Sequence, residues 1–242
     1  MPVRQAGTSI DNRMSDWDKA VMANSFVDSA RVNGPFRRAV SIAILTAISV
    51  FVLYTAMKGF QAAIDSDDFP ETLAVKVELL PLIFPVHMVT GALALILVPL
   101  ALALRRRRRR HRWLGRIAAT DVLISGLTAY PVAWVAPVTT WSALGFSAQA
   151  TIWLTLLALG IVNIRRRRIA AHRACMLMML ATTSGAVFFR IWLALWAIYG
   201  TNRGFETFYA CDSWVAWLLP LGATAFFLSR EGAPLAFSLR RD

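Results

Sequence analysis

Long apolar runs alternate with short polar loops along most of the chain. Each run is long enough for one helix to cross a bilayer core of about 30 Å. The runs lie near residues 39–60, 78–104, 114–136, 146–164, 174–199 and 213–229. The pattern predicts an all-α integral membrane protein, a bundle of six transmembrane helices. The predicted regions are a polar tail at 1–36, the six-helix transmembrane domain at 37–230 and a second tail at 231–242.

The polar N-terminal tail contains one helix-like stretch, residues 16–32, which opens with a capping pattern formed by Ser15 and Asp18. Two interpretations stay open. The stretch is either a short amphipathic helix on the cytoplasmic surface, with residues 14–34 docking on a partner protein, or a loosely ordered tail.

The composition agrees with a membrane location, since 57% of the residues are hydrophobic and only 17% are charged. The formal net charge of +12 would also suit a nucleic-acid-binding protein. However, the basic residues lie in short runs at the ends of apolar segments, and no soluble domain is available to carry them. We therefore expect anionic lipid head groups, and not nucleic acid, as their partner.

Arginines concentrate in the loops on one side of the six-span arrangement. The residues expected to contact lipid head groups are Arg105, Arg106, Arg107, Arg108, Arg165, Arg166, Arg167 and Arg168. The opposite loops are acidic or nearly uncharged, and the last of them is expected to hold Arg203, Glu206 and Asp212. The positive-inside rule therefore predicts that both termini are cytoplasmic.

Ionisable residues within the predicted spans are candidates for function, because each costs roughly 2.5–3.5 kcal/mol to insert. At about 1.5 Å per residue, His87, Arg190 and the polar Gln149 share one level, about 22–25 Å from the cytoplasmic helix ends. These three residues are expected to line an outer pocket. The alternative is structural: His87 bonds a backbone carbonyl and Arg190 extends to the membrane surface.

Asp121, Ser125 and Thr128 recur at helical spacing and predict a polar stripe on the third span. Asp121 then needs a partner. Arg112 or Arg116 would reach it from the cytoplasmic edge and form a structural ion pair.

The other two histidines, His111 and His172, each open a span at the cytoplasmic face. Singly, each is expected to contact lipid head groups. Together they lie at one depth on two helices, which suits an axial pair on a haem iron, with arginines near the propionates. The chain contains no H-E-x-x-H motif, CxxC pair, Walker loop or G-x-S-x-G elbow.

Three sequence features carry a family resemblance: the string His111-Arg112-Trp113-Leu114-Gly115-Arg116, the earlier Phe84-Pro85-Val86-His87 with Gly91, and His172-Arg173 with the later Arg190. Over roughly residues 78–192 they resemble a bacterial family of predicted membrane proteins known as a domain of unknown function. This resemblance implies a multi-pass protein of the bacterial inner membrane.

A more distant similarity is to the b561-type cytochromes, which hold two haems between paired histidines. It implies that His111 and His172 form one haem-binding pair and that His87 is half of a second pair. Gln149 stands where the partner of His87 is expected. The second haem site is therefore incomplete, and a protein with one haem or none is the expectation.

Three functions follow from these observations, and whether the chain is an enzyme stays open. The first is a b-type-cytochrome-like electron-transfer protein with haem b at His111 and His172 and a quinone or second cofactor at His87 and Arg190. The second is a non-enzymatic accessory or scaffold subunit of a larger membrane complex. The third is a small-molecule transporter with His87, Gln149 and Arg190 in its pathway.

Overall fold

The structure, a computed structural model, describes residues 71–230 and, before them, residues 46–47, 49–55, 57–58 and 60–61. The chain divides into two compact units, residues 1–50 and 51–242. The described residues between 46 and 61 are helical and overlap the first predicted span. The N-terminal stretch at 16–32 and the C-terminal tail at 231–242 lie outside the described residues.

Residues 71–230 fold into six α-helices, with no strand among them. They are α1 (Glu71–Leu79), α2 (Ile83–Ala103), α3 (Arg108–Trp134), α4 (Thr140–Arg165), α5 (Ile169–Tyr199) and α6 (Phe205–Arg230). The described part of the chain contains five helices long and apolar enough to cross a membrane, α2 to α6. The predicted all-helical, multi-pass membrane architecture is thereby confirmed in this part of the chain, and the count of six spans stays a prediction.

Several helices extend further into the loops than the apolar runs predict. Helix α3 begins at Arg108 and helix α6 at Phe205. Asp212, expected in a loop, therefore lies inside α6, and that expectation was wrong. The physical reason is that hydropathy falls before the helices end. At the start of α3 the long side chain of Arg108 is exposed and still reaches water, whereas the early turns of α6 include polar residues, of which Asp212 is buried.

Local signals explain how the helices begin and turn. Thr139 and Ser142 form a reciprocal capping box at the start of α4, with the Thr139 hydroxyl accepting from the Ser142 amide at 3.0 Å. Before α3 and before α5 the chain turns through short arginine-containing segments, and Arg167 adopts a positive φ of 60° in the second. These tight connections make consecutive helices antiparallel neighbours.

Helices α2, α3, α4 and α5 pack in a closed ring in which α2 also contacts α5, and α6 packs outside against α5 and α4. Consequently α3 and α5 stand at opposite corners, as do α2 and α4. Apolar side chains from all four ring helices form the core, among them Val98, Val122, Leu156 and Cys175. We call the end with Arg105–Arg110 and Arg165–Arg168 the arginine end, and the other the far end.

The short helix α1 lies at the far end and is joined to the end of α3. The Lys76 ammonium donates to the carbonyl oxygens of Val132 at 2.7 Å and Val135 at 2.6 Å. Carbonyls in the last turn of a helix have no partner within the helix. A cation there also interacts favourably with the negative end of the helix dipole. Lys76 therefore caps α3 from a separate element.

Candidate histidine pair and far-end cluster

His111 and His172 make the same contact in two successive helical hairpins. His111 Nδ1 lies 2.8 Å from the carbonyl oxygen of Ala101, near the end of α2. His172 Nδ1 lies 2.9 Å from the carbonyl oxygen of Gly160, near the end of α4. Each histidine thus connects the helix that it opens to the preceding helix.

These bonds determine which ring nitrogen carries the proton. A carbonyl oxygen can only accept, so Nδ1 must be the donor in both rings. In the neutral imidazole, Nε2 is then the unprotonated nitrogen, which is free to accept a hydrogen bond or bind a metal. Histidines that bind metals usually donate their other ring N–H to a carbonyl or carboxylate in this way.

The two histidines occupy equivalent places at the arginine end. Each follows the first residue of its helix by three positions, on α3 and α5, which are opposite corners of the ring. Gly115 lies one turn beyond His111, and a Cβ atom there would meet no other atom within 4 Å. The structure therefore leaves open space on the His111 side, and both side chains are partly buried.

The arginine runs around the pair are exposed, from Arg105 to Arg110 and from Arg165 to Arg168. Nearby, the guanidinium of Arg116 lies 5.9 Å from the centre of the exposed Trp113 ring. An aromatic ring beside arginines at a helix end is typical of a membrane interface.

His87 lies near the far end and contacts the polar stripe of α3. Its Nδ1 is 3.1 Å from the Ser125 carbonyl oxygen and 3.3 Å from Thr128 Oγ1. The Thr128 hydroxyl already donates to the Ile124 carbonyl at 2.8 Å, so its oxygen is an acceptor for His87. His87 therefore also donates from Nδ1, and its Nε2 is left for a further partner.

Arg190 lies on α5 within electrostatic range of His87 on one side and Tyr209 on the other, and Tyr209 interacts in turn with Asp212. One guanidinium nitrogen of Arg190 donates to the Ala186 carbonyl at 2.9 Å. These four residues, from three helices, are the far-end cluster. They bring together the predicted pair His87 and Arg190 and two residues that were not predicted.

Gln149 approaches α5 nearer the centre of the bundle. Its amide nitrogen donates to the Thr182 carbonyl at 3.1 Å and lies beside Gly185. Gln149, on α4, therefore contacts α5 five to eight residues before Arg190. Its hydrogen bond is to the backbone and not to His87 or Arg190.

Aromatic rings pack around Tyr209 at the far end. The ring centres of Phe189 and Phe146 lie 5.2 Å and 6.1 Å from that of Tyr209, in edge-to-face arrangements, and Phe205 lies 5.7 Å away. Such rings exclude water, so they strengthen the electrostatic interactions of Arg190 beside them.

Two carboxyl groups are buried in the bundle. Asp121 is 7% exposed and Asp212 is 3% exposed. Among the residues that the structure describes, neither oxygen of Asp212 has a hydrogen-bond partner, and nor does Oδ2 of Asp121. The expected ion pair of Asp121 with Arg112 or Arg116 is not formed between these described residues, because both arginine side chains are exposed.

The sequence reasoning missed Tyr209, Asp212 and Lys76. Asp212 was assigned to a loop because the apolar run was taken to begin after it. A helix extended back to Phe205 would have brought Tyr209 and Asp212 onto one face, three residues apart. In the described residues, no group of three or more histidine, cysteine, aspartate or glutamate side chains is arranged to hold a metal ion.

Comparison with known proteins gives a family but no activity. No curated protein matches the chain, and no solved structure matches it. Residues 84–228, which include the histidine pair and the far-end cluster, match the family described as predicted membrane protein, DUF2306. The chain therefore belongs to the DUF2306 family of predicted membrane proteins.

Proposed function

We propose that this protein is a b-type-cytochrome-like membrane redox protein that binds one haem b through His111 and His172. One observation carries the proposal. The two histidines occupy equivalent positions on opposite corners of a four-helix ring, and each has its Nδ1 bonded to a backbone carbonyl.

The donor chemistry of this pair fits a haem iron. Neutral imidazoles bind iron without first losing a proton, and the carbonyl bonds fix each ring and increase its basicity. The open space beside Gly115 and the exposed arginines at the same end suit a porphyrin with two propionates. When bound, the haem would supply one-electron transfer within the membrane.

The far-end cluster is proposed to bind a quinone head group. Arg190 has guanidinium N–H groups beyond the one bonded to Ala186, and these would donate to a quinone oxygen. His87 would accept or release a proton at Nε2, since its Nδ1 is held by Ser125 and Thr128. Gln149 would position the ring from the neighbouring helix.

A visible spectrum of the purified protein, oxidised and then reduced with dithionite, tests haem binding. Protein from haem-replete cells is expected to show a Soret band that shifts on reduction. The matched variants are H111N and H172N, because an asparagine amide still donates to the same carbonyl but offers no imidazole to iron.

Each variant is expected to lose the band while remaining folded in the membrane, and H87N is expected to keep it. A wild-type protein without a Soret band would reject the redox function. It would favour the alternative of a haem-free accessory subunit, in which His111 and His172 only join the hairpins.

The proposed orientation has six spans, both termini on the cytoplasmic side of a bacterial inner membrane, and the arginine runs on anionic head groups. The exposure of these arginines and the interfacial Trp113 support it. Alkaline phosphatase fused after residue 138 or 201 should be active, and fusions after residues 107, 167 and 242 should be inactive. The opposite pattern would reverse the orientation.

A further inference from the structure

Asp212 is a buried carboxyl group in the second turn of α6. It is 3% exposed, and neither of its oxygens has a hydrogen-bond partner in the part of the chain that the structure describes. It lies seven residues into α6, about 10 Å from the first residue of that helix. A structural aspartate normally accepts hydrogen bonds or pairs with a cation, so packing alone does not explain this residue.

Among the residues that the structure describes, no cation forms an ion pair with Asp212. Helix α4, which packs against α6, has no charged residue before Arg165 at the opposite end. Helix α5 contributes Arg190, which lies within electrostatic range of Tyr209 and forms no ion pair with Asp212. On α6 itself Tyr209 lies one turn away, and Glu206, like the preceding Arg203, is exposed near the start of the helix.

A carboxylate without a partner in such a site would be far more costly than the neutral acid. The isolated charge loses its hydration, whereas the protonated group loses only its hydrogen bonds, about 1–3 kcal/mol for each unsatisfied group. Buried carboxyl groups therefore take up a proton when no cation compensates them.

We propose that Asp212 is a proton-binding site of the far end. Its carboxyl group holds a proton in the conformation described, and it exchanges that proton with the aqueous phase at the far end, past Tyr209 and the exposed first turn of α6. The charge of Arg190 is then not neutralised by Asp212 and remains available to a ligand.

One consequence rests on the proposed function, although the protonation itself does not. Oxidation of a quinol to a quinone releases two electrons and two protons. A bound haem would take these electrons one at a time and pass each to a partner electron acceptor. His87 would take one proton, and Asp212, after releasing its own proton to the far-end water, would take the other.

Infrared spectroscopy of the protein in lipid nanodiscs tests the site. At neutral pH the wild-type protein should show the carbonyl stretch of protonated carboxylic acids, and the band should shift when the sample is transferred to D₂O. D212N should remove part of the band, and a rise in the pH of the buffer should remove the same part reversibly in the wild type.

The matched control is D121N, which alters the other buried carboxyl and should leave the Asp212 part of the band. D212N resembles the neutral acid in shape and charge, so its melting temperature should equal that of the wild type. Identical infrared spectra for D212N and wild type at neutral pH would overturn the proposal, because Asp212 would then be ionised in the wild-type protein.

A second measurement needs no variant. Solid-state ¹³C spectra of aspartate-labelled wild-type protein should contain a protonated side-chain carboxyl at neutral pH that titrates from the far end. Ionised shifts for every aspartate would reject the site. Loss of the Soret band with the protonated carboxyl retained would reject the redox function and leave this inference standing.

Discussion

At the scale of single residues, the recurring feature is a histidine that donates from Nδ1 to a carbonyl oxygen. His87, His111 and His172 all do this. The sequence predicted His87 as a candidate because an imidazole within a membrane span is costly, and His111 and His172 because they open two helices at one depth. It did not predict the donor nitrogen, because the acceptor belongs to a different helix and is set by tertiary packing.

Lys76 should make the free energy of unfolding of the protein depend on pH in the alkaline range. Burial lowers the pKa of Lys76 below its ordinary value of 10.5. The unfolded chain then holds the Lys76 proton more tightly than the folded chain, so the free energy of unfolding rises with pH between the lowered pKa and 10.5. The stability difference between wild type and K76M should therefore grow as pH increases through that window.

Unfolding of both proteins in detergent, followed from neutral pH to 10.5, checks this prediction. At neutral pH, K76M should already be less stable by about 1–3 kcal/mol, because it leaves the Val132 and Val135 carbonyls without their donor. Parallel stability curves for the two proteins would show that Lys76 keeps the same pKa in both states.

At the scale of helices, apolar runs predicted the spans but not their ends. The runs have to be apolar because the bilayer core offers no water to unpaired polar groups. Beyond the core that constraint disappears, so Arg108 and Asp212 are helical although they lie outside the runs. The short helix α1 was missed for a related reason, since its place depends on the contacts of Lys76 and not on hydropathy.

Gly185 tests the close approach of α5 to its neighbours. A Cβ atom there would lie 2.7 Å from the Cβ of Trp217 on α6 and 2.8 Å from the amide nitrogen of Gln149 on α4. G185A is therefore expected to lose about 1–3 kcal/mol of stability through overpacking. Thermal unfolding of the purified protein measures the loss.

The matched control is G222A in α6, where a Cβ atom would meet no other atom within 4 Å. Alanine is the better helix former by about 1 kcal/mol, so G222A should be as stable as the wild type or more stable. Equal stability of G185A and G222A would mean that α5 does not approach Trp217 and Gln149 as closely as described.

At the scale of the whole molecule, the packing of four helices in a ring brings residues that are distant in the sequence together into sites. Counting residues along each helix gave the common level of His111 and His172 and that of His87 and Arg190. It did not give the ring order, because depth does not determine which helices are neighbours. The packing of the helices places His111 and His172 on opposite corners of the ring. It also brings Arg190 within electrostatic range of His87 and Tyr209.

The most direct test of this account is an electron paramagnetic resonance spectrum of the ferric protein. Two imidazole ligands predict a low-spin ferric haem in the wild type. H111N and H172N, which are each expected to lose the haem, should show no low-spin signal, while H87N retains it. A low-spin spectrum that survives in both H111N and H172N, or a wild-type protein without haem, would contradict the assignment of these two histidines.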